Sequence, residues 1–305
     1  MACLVCGSDE DELFSTAVDR VRKLSEPVWQ IRRCGRCGFG WTFPIPSEEE
    51  TKSFYPPEYL GDVERTLDDF LSGRLRGTRS WRGSTEKVEL VERHIDRGSI
   101  LDVGCGDGKF LWALDAQRWK ATGVDNLPET LSRVSSRMPS LHLIEGNIYS
   151  RNLEEEGYDA LTFWHVLEHL PDPRRILRRA SALLRPGGWL FISLPRLDSL
   201  QAKIFRKHWY AFDDVPRHLY HFSKSSLDHL LIEAGFIVRK HLLFSPLVNF
   251  HSLKHSLLNC SREMLRSRVP YYLLKALLYP FVLLERASDS YGILTTIAQK
   301  PLSSP

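Results

Sequence analysis

Several features that would assign a chain to a class at once are missing from this sequence. It has no low-complexity tract, and its one long apolar stretch, at 271–284, is shorter than the roughly 20 residues of a membrane-spanning helix and contains Lys275 and Pro280. The N-terminus has no basic segment leading into an apolar one, so we expect no secretory signal. The net charge is only +3 among 305 residues, which by itself does not indicate nucleic-acid binding. We therefore expect a soluble globular protein of the cytoplasm.

Cysteine is scarce, and its placement is uneven. Four of the six cysteines fall into two Cys-x-x-Cys pairs, each followed by glycine. Four thiolates are the tetrahedral set that Zn²⁺ prefers, and a closed shell of four predicts a structural zinc. Buried free thiols or a redox pair are the alternative. The predicted ligands are Cys3, Cys6, Cys34 and Cys37.

The chain divides into segments of different composition. Its first part carries the cysteines and a short alternating strand, VWQIRRC, and is followed by the proline-rich stretches FPIPSEEE and FYPPEYLGD. Prolines oppose regular helix and strand there. We predict a zinc-ribbon-like module at 1–45, a connector at 46–83, and an α/β domain at 84–300 with a helical insertion at 246–288.

The α/β domain is predicted from alternating helix and strand signals. A helix is expected to begin at Ser84 and to stop at Gly98. Five apolar runs then alternate with helical segments, a pattern typical of a parallel sheet covered on both faces. Two further strands are expected at 236–244 and 291–301. The five runs are 99–104, 121–125, 141–146, 159–165 and 188–195.

A glycine-rich turn follows the first of these runs. In ILDVGCGDGKF, at 100–110, a strand leads through the turn into a helix, and Asp125 ends the next strand. Glycines let a backbone approach a ligand closely, and the acid is placed to accept hydrogen bonds from ribose hydroxyls. A dinucleotide fingerprint would need a third glycine where Lys109 stands. The pattern predicts a nucleoside site, with an ordinary tight turn as the alternative.

The order of the motifs resembles that of class I S-adenosylmethionine-dependent methyltransferases, in their ubiquinone-type and sugar-modifying, methyltransferase-23-like branch. The resemblance covers about 84–300. It implies a Rossmann-like sheet, mostly parallel, in which two more strands follow and the last is antiparallel. The matching segments are DVGCGDG (102–108), GVD (123–125), EGNI (145–148), VLEHLPDP (166–173), LLRPGGWLF (183–191), PRHLYHFS (216–223) and AGF (234–236).

The resemblance also implies cofactor contacts. The backbone at Gly104 and Gly106 would lie against the methionine portion of S-adenosylmethionine, and Asp102 would orient its amine. Asp125 would hold the ribose. The adenine would lie between residues of the EGNI segment. The full set of implied cofactor residues is Asp102, Gly104, Gly106, Asp125, Asn126, Asn147, Ile148 and Trp164.

The segment HVLEH, at 165–169, has three readings. It matches the H-x-x-E-H signature of inverted zinc proteases, which we reject because it follows a strand of the cofactor-binding domain and has no evident third ligand. Related ubiquinone-type enzymes hold a divalent ion here, which leaves an ion near Glu168 and His169 open, although His165 stands where they have an acid. His165 is alternatively a general base or a structural histidine.

A histidine-rich stretch after the fifth run supplies the predicted acceptor side. We predict His218 as a second catalytic candidate, because ligands bind at the carboxyl ends of such strands. Ordinary packing is the alternative. Tyr55 and Tyr59 of the connector are predicted either to cover the cofactor or to anchor the connector. The predicted substrate-binding residues are Arg217, Tyr220 and His221.

The predicted activity is methyl transfer to a small-molecule or glycan- or lipid-linked acceptor, at oxygen. An RNA methyltransferase that uses the zinc module for recognition is one alternative. It is disfavoured because acidic residues at 9–12 oppose the arginines of the module. A cofactor-binding scaffold without turnover is the other. The insertion at 246–288 is predicted either to touch a membrane peripherally or to serve packing or dimerisation.

Overall fold

The computed structural model describes residues 2–20, 28–55, 63–243, 245–264 and 271–302. Tyr59 of the predicted cover lies outside them. The strands are β1 Asp11–Ala17, β2 Trp29–Cys34, β3 Gly40–Phe43, β4 Gly98–Val103, β5 Trp119–Asp125, β6 His142–Glu145, β7 Tyr158–Trp164, β8 Leu184–Pro195, β9 Tyr220–His221, β10 Ile237–Leu242 and β11 Ile293–Gln299. The helices are α1 Glu48–Ser53, α2 Val63–Leu71, α3 Arg79–Glu92, α4 Lys109–Ala113, α5 Pro128–Arg137, α6 Pro173–Leu183, α7 Leu200–Phe205, α8 Lys224–Glu233, α9 Pro246–Met264 and α10 Tyr271–Ser288.

The central sheet has seven strands in the order β10-β11-β8-β7-β4-β5-β6. Strands β4 to β8 run parallel to one another, whereas β11 is antiparallel to both β8 and β10. The middle strands are buried along almost their whole length, because helices cover both faces. The predicted Rossmann-like sheet with an antiparallel last strand is confirmed.

The direction of winding reverses between β4 and β7. From β4 the chain moves outward through β5 and β6, and it then returns to place β7 on the other side of β4. At such a reversal the loops leave in opposite directions and open a crevice at the carboxyl ends of the strands. The residues that end β4, β5 and β7 therefore share one site.

A second sheet joins the N-terminal residues to the rest of the chain. Its four strands are antiparallel, in the order β1-β2-β3-β9. The last strand, Tyr220–His221, belongs to the later part of the chain. The sheet therefore crosses the predicted boundary at residue 45. The alternating strand expected from VWQIRRC is present as β2.

The connector differs from the prediction, because it contains helices. Ser47 caps α1 through a capping box with Glu50, which overcomes the prolines that precede it. Helix α3 begins at Arg79, with Thr78 as its N-cap. The start predicted at Ser84 was wrong, since a second capping residue stands six positions earlier.

The insertion forms helices α9 and α10, and one side of the pair is fixed to the core. Glu285 is fully buried and accepts hydrogen bonds from Gln201 Nε2 (2.9 Å) and Asn249 Nδ2 (3.0 Å). Burial raises the pKa of Glu285 to about 7. Tyr279, Leu283 and Leu284 are exposed on α10. No helix in the described ranges is long and apolar enough to cross a membrane, and peripheral contact stays a prediction.

Candidate functional site

The glycine turn after β4 brings the backbone to the crevice. Gly104 and Gly106 have φ angles of +69° and +52°, in the region that favours glycine. A Cβ on Gly104 would lie 2.6 Å from a methyl carbon of Val166. The sequence requires glycine at position 104 because a neighbouring side chain already fills that space.

Asp102 lies beneath this turn. It is 3% exposed, and one carboxylate oxygen accepts a hydrogen bond of 2.6 Å from Thr162 Oγ1 on β7. Burial raises the pKa of Asp102 to about 7, against the opposing effect of that hydrogen bond. A bound ammonium group would favour its ionised form.

Asp125 ends β5 and is fixed by the neighbouring backbone. Its two oxygens accept hydrogen bonds from the amides of Gly106 (2.9 Å) and Leu127 (3.0 Å). Burial raises its pKa. Each oxygen keeps a second lone pair, so the carboxylate can accept two further hydrogen bonds from a diol. Asn126, next in the chain, is exposed.

Two of the predicted adenine-side residues have different surroundings. Asn147 is exposed, and its Oδ1 accepts from the Tyr149 amide (2.9 Å). Ile148 is 0% exposed and belongs to the main apolar core. The structure therefore corrects the prediction for Ile148, because a side chain with no accessible surface packs the fold and cannot contact a ligand. Trp164 ends β7 and meets Phe110 edge to face, with ring centroids 5.5 Å apart.

His165 stands at the mouth of the crevice in a strained conformation. Its φ is +58°, unusual for a residue other than glycine, and its amide donates to the Ser193 carbonyl (2.8 Å). Its side chain is 32% exposed, and Nδ1 lies 3.5 Å from Oε1 of Glu168, whose side chain is 2% exposed. Such strain is concentrated at functional sites.

Glu168 is a buried carboxylate whose loss of hydration is not offset by hydrogen bonds in the described part of the chain. Within the described ranges neither of its oxygens has a hydrogen-bond partner of standard geometry. Burial would raise its pKa, but the contact with His165 and the nearby imidazoles of His169 and His218 outweigh burial and lower it. The charge is therefore retained, and it faces imidazole groups.

Glu168, His169 and His218 also form a cluster that could hold a metal ion. One ligand atom from each lies within 4.8 Å of the others. Tyr55 Oη is 2.9 Å from His169 Nδ1, and Nδ1 of His218 is 2.8 Å from the Ala211 carbonyl. Burial lowers the pKa of His169 to about 4, so its imidazole is neutral, as a metal ligand must be.

His218 itself is covered. It is 6% exposed, and its Nε2 lies 3.6 Å from Asp214 Oδ2 while Nδ1 contacts a carbonyl. A base must reach the proton that it removes. His165, which is one-third exposed, meets that condition, and His218 does not in this conformation.

The predicted acceptor residue Arg217 is buried instead. It is 0% exposed, and its guanidinium donates to Asp19 (2.8 and 3.1 Å) and to Asp214 (2.6 Å). These carboxylates raise its pKa despite burial. The guanidinium already has two anionic partners, so we correct its assignment to that of an internal ion pair.

Tyr220 and His221 also lie inside the second sheet. Tyr220 is 5% exposed and stacks on Phe39, with centroids 5.5 Å apart. His221 is 3% exposed, its Nε2 lies 3.1 Å from Thr42 Oγ1, and burial lowers its pKa to about 3. Their prediction as acceptor contacts is corrected, because Tyr220 packs on Phe39 and His221 contacts Thr42 of the neighbouring strand β3.

The four predicted zinc ligands meet at the N-terminal end of the second sheet. All four sulfur atoms lie within 4.8 Å of one another, with Cys3–Cys37 and Cys6–Cys34 separations of 3.6 Å. Zn–S bonds of about 2.3 Å place tetrahedral sulfurs roughly 3.8 Å apart, whereas a disulfide needs about 2.05 Å. The donor set and its spacing fit a zinc ion.

One crevice residue, Lys87, was not identified from the sequence. It lies on α3 beside the buried residues Ser84, Val88 and Val91, and its ammonium nitrogen is 5.2 Å from the Trp164 ring centroid. The only local sign in the sequence of its place in the crevice is that this lysine borders the apolar face of a helix.

Comparison with known families identifies the α/β domain. A family model described as "Methyltransferase domain" matches residues 76–241, just over half of the chain. Ubiquinone biosynthesis O-methyltransferases of Hydrogenovibrio crunogenus and Chromobacterium violaceum are 35% and 32% identical over 117 and 119 residues. Each alignment covers 35% of this chain and 47% or 49% of the relative. The chain thus spans about half the length of the curated relatives it matches.

Solved structures share the fold at low identity. A Haloferax volcanii methyltransferase in complex with the Trm112 activator is 18% identical, with a TM-score of 0.52 over 79% of this chain and 98% of that one. Haemonchus contortus phosphoethanolamine N-methyltransferase 2 is 14% identical, with a TM-score of 0.56 over 95% and 68%. The [4+2]-cyclase SpnF is 18% identical, with a TM-score of 0.54 over 85% and 98%. These structures establish the fold alone. With the family match, they show that the chain belongs to the class I S-adenosylmethionine-dependent methyltransferases.

Proposed function

We propose that this protein transfers a methyl group from S-adenosylmethionine to a hydroxyl oxygen of a small-molecule acceptor, which can be free or attached to a glycan or lipid. The choice of oxygen rests on one observation, the pairing of the partly exposed His165 with the buried carboxylate of Glu168. A hydroxyl must lose its proton as it attacks, so a positioned base is useful at this place. The matched O-methyltransferase relatives support the same acceptor atom.

The cofactor residues are proposed to act by alignment. The sulfonium of the cofactor supplies an already activated methyl group, so the protein has to orient the reactants and exclude water. Asp125 would accept hydrogen bonds from the ribose hydroxyls, and Asp102 would pair with the ammonium of the methionine portion. Gly104 and Gly106 leave room for that portion to lie against the backbone.

Glu168 is proposed to orient the base. A carboxylate beside Nδ1 favours the tautomer that carries its proton there, which leaves Nε2 free to accept the acceptor proton. Burial strengthens this contact, because the local dielectric is low.

A divalent ion is a second way to activate the acceptor. Glu168, His169 and His218 supply one carboxylate and two imidazoles, a set that suits several divalent transition metals. An ion there would lower the pKa of a bound hydroxyl. In that case Tyr55, which contacts His169, would orient a ligand instead of covering the cofactor.

We propose that the four-cysteine site holds a structural zinc and does not recognise RNA. Its closed thiolate shell leaves no open position for catalysis. Two arginines of the module support the second part, because Arg32 pairs with Asp11 (2.5 Å) and Arg33 pairs with Glu12. Paired arginines leave little free positive charge for a phosphate backbone.

The experiment that tests the activity is methyl transfer from labelled S-adenosylmethionine to a panel of acceptors. We expect label in a hydroxyl-bearing small molecule or glycan, as a base-stable ether. The panel should include total RNA and amine compounds at equal concentration. Label confined to RNA would support the RNA methyltransferase instead, and cofactor binding without any label would support a scaffold.

A further inference from the structure

The helical insertion holds a short 3₁₀-helical turn, Tyr210–Asp214, against helix α9. The Tyr210 amide donates to Ser256 Oγ (2.9 Å), and Asn259 Nδ2 donates to both carboxylate oxygens of Asp213 (2.8 and 2.6 Å). Ser256 and Asn259 are one turn apart on α9, and their partners are one turn apart in the 3₁₀ segment. Two matched faces are therefore joined, and both α9 side chains are buried.

A buried carboxylate, that of Asp213, is the meeting point of three parts of the chain. It is 5% exposed, and besides Asn259 it faces Arg20 of the N-terminal segment. Arg20 Nη1 is 3.3 Å from Asp213 Oδ1, and the Arg20 amide donates to the Asp213 carbonyl (3.0 Å). Burial raises the pKa of Asp213 to about 6 against the hydrogen bonds from Asn259 and Arg20, and the neighbouring Asp214 adds to the rise. The ionised form of Asp213 therefore depends on these two donors.

The turn leads directly to the acceptor side of the site. Asp214 accepts a hydrogen bond from the Arg217 guanidinium (2.6 Å) and lies 3.6 Å from His218 Nε2. The Leu219 amide then donates to the Glu168 carbonyl (2.9 Å). A short stretch of chain thus connects the carboxylate held by α9 to the backbone of Glu168.

We infer that Asn259 is a positioning residue for methyl transfer, which rests on the proposed function. It fixes Asp213, and the segment that follows carries that position to Glu168, the proposed partner of the base. A neutral amide suits this place, because it donates to a carboxylate without adding a second cation beside Arg20. An aspartate there would face Asp213 as a like charge in a buried site. Asn259 acts through Asp213 and needs no contact with the acceptor.

The inference is tested by a cycle of wild type, Asn259→Asp, Asp213→Asn and the double variant that carries both changes. Asn259→Asp places two carboxylates together and should lower kcat/KM for the acceptor found in the panel by about 10-fold or more. The double variant restores an amide opposite a carboxylate and should regain most of that loss. Calorimetry should give the wild-type Kd for S-adenosylmethionine in every member of the cycle. Gln117→Glu adds the same charge at an exposed amide and should match wild type.

The pH dependence identifies Asp213 as the group through which Asn259 acts. Two carboxylates in contact share a proton as the pH falls, so the ratio of Asn259→Asp to wild-type kcat/KM should rise from about pH 8 to about pH 6. The double variant has a single carboxylate at this contact and should show no such rise.

Three outcomes overturn the inference, and they are distinguishable. Wild-type kcat/KM in Asn259→Asp would reject it and leave the proposed function standing. A joint fall of kcat/KM, S-adenosylmethionine affinity and Tm, without recovery in the double variant, would also reject it, because Asn259 would then serve stability alone. If wild type labels no acceptor in the panel, the proposed function fails, and the role of Asn259 is rejected with it.

Discussion

Replacing His165 with asparagine is expected to lower kcat by about 10²- to 10⁴-fold, the usual contribution of a general base. Affinity for S-adenosylmethionine should not change, because His165 is proposed to face the acceptor. Asparagine is chosen because it tolerates a positive φ better than alanine does, and His165 has φ +58°. The loss then reports on proton transfer and not on backbone strain.

The measurement is steady-state kinetics with the acceptor found in the panel. His229→Ala, at an exposed histidine of α8, is the matched control and should keep wild-type kcat. Glu168→Gln should also lower kcat, since it removes the charge that orients the imidazole. Full activity in His165→Asn would reject the base. Loss of wild-type activity on dialysis against a chelator, under conditions in which metal analysis shows that the cysteine-bound zinc is retained, would favour a metal ion at Glu168.

Replacing Cys34 with serine is expected to release the zinc and to destabilise the N-terminal segment. Structural zinc sites contribute about 10–16 kcal/mol of apparent binding free energy in small peptides, which is comparable to the whole stability of a domain, about 5–15 kcal/mol. Metal analysis should therefore give about one zinc per chain in wild type and much less in the variant, with a lower Tm.

The zinc site is also connected to the catalytic side, so kcat should fall as well. Ser223 and Ser225 donate to the Cys37 carbonyl at 2.8 and 3.0 Å. Further along, the Thr42 amide donates to the Leu219 carbonyl, and the Leu219 amide donates to the Glu168 carbonyl, both at 2.9 Å. Loosening β3 would therefore loosen the turn that holds Glu168.

Cys260→Ser is the control for the zinc experiment. Cys260 lies on α9, far along the chain from the four ligands. It should keep its zinc, its Tm and its activity. A Cys34→Ser protein with a full complement of zinc would contradict the assignment.

The turn and the acid that are proposed to bind the cofactor could be located in the sequence because their signals are local. The turn needs glycine at Gly104 because a side chain there would meet Val166, and Asp125 is the last residue of its strand. Apolar runs at regular spacing gave the parallel sheet in the same way, since each strand shows its burial in its own residues.

The acceptor half was not predictable, because its environment comes from distant parts of the chain. Thr42, which contacts His221, is 179 residues away in sequence, and Asp19, which pairs with Arg217, is 198 residues away. A pattern of histidine and arginine looks the same whether the side chains contact a ligand or a residue inside the protein. Lys87 was missed for the same reason, since its contact with the Trp164 ring joins two distant parts of the chain.

The central claim is that S-adenosylmethionine binds in the crevice at the ends of β4 and β5. Its most direct test is a calorimetric titration of wild type, Asp125→Ala and Glu129→Ala with S-adenosylmethionine. We expect wild type to bind and Asp125→Ala to lose about 10-fold or more, because two hydrogen bonds to a charged acceptor disappear. Glu129, exposed in the first turn of α5, should be replaceable without effect. Equal affinity in Asp125→Ala and wild type would contradict the site.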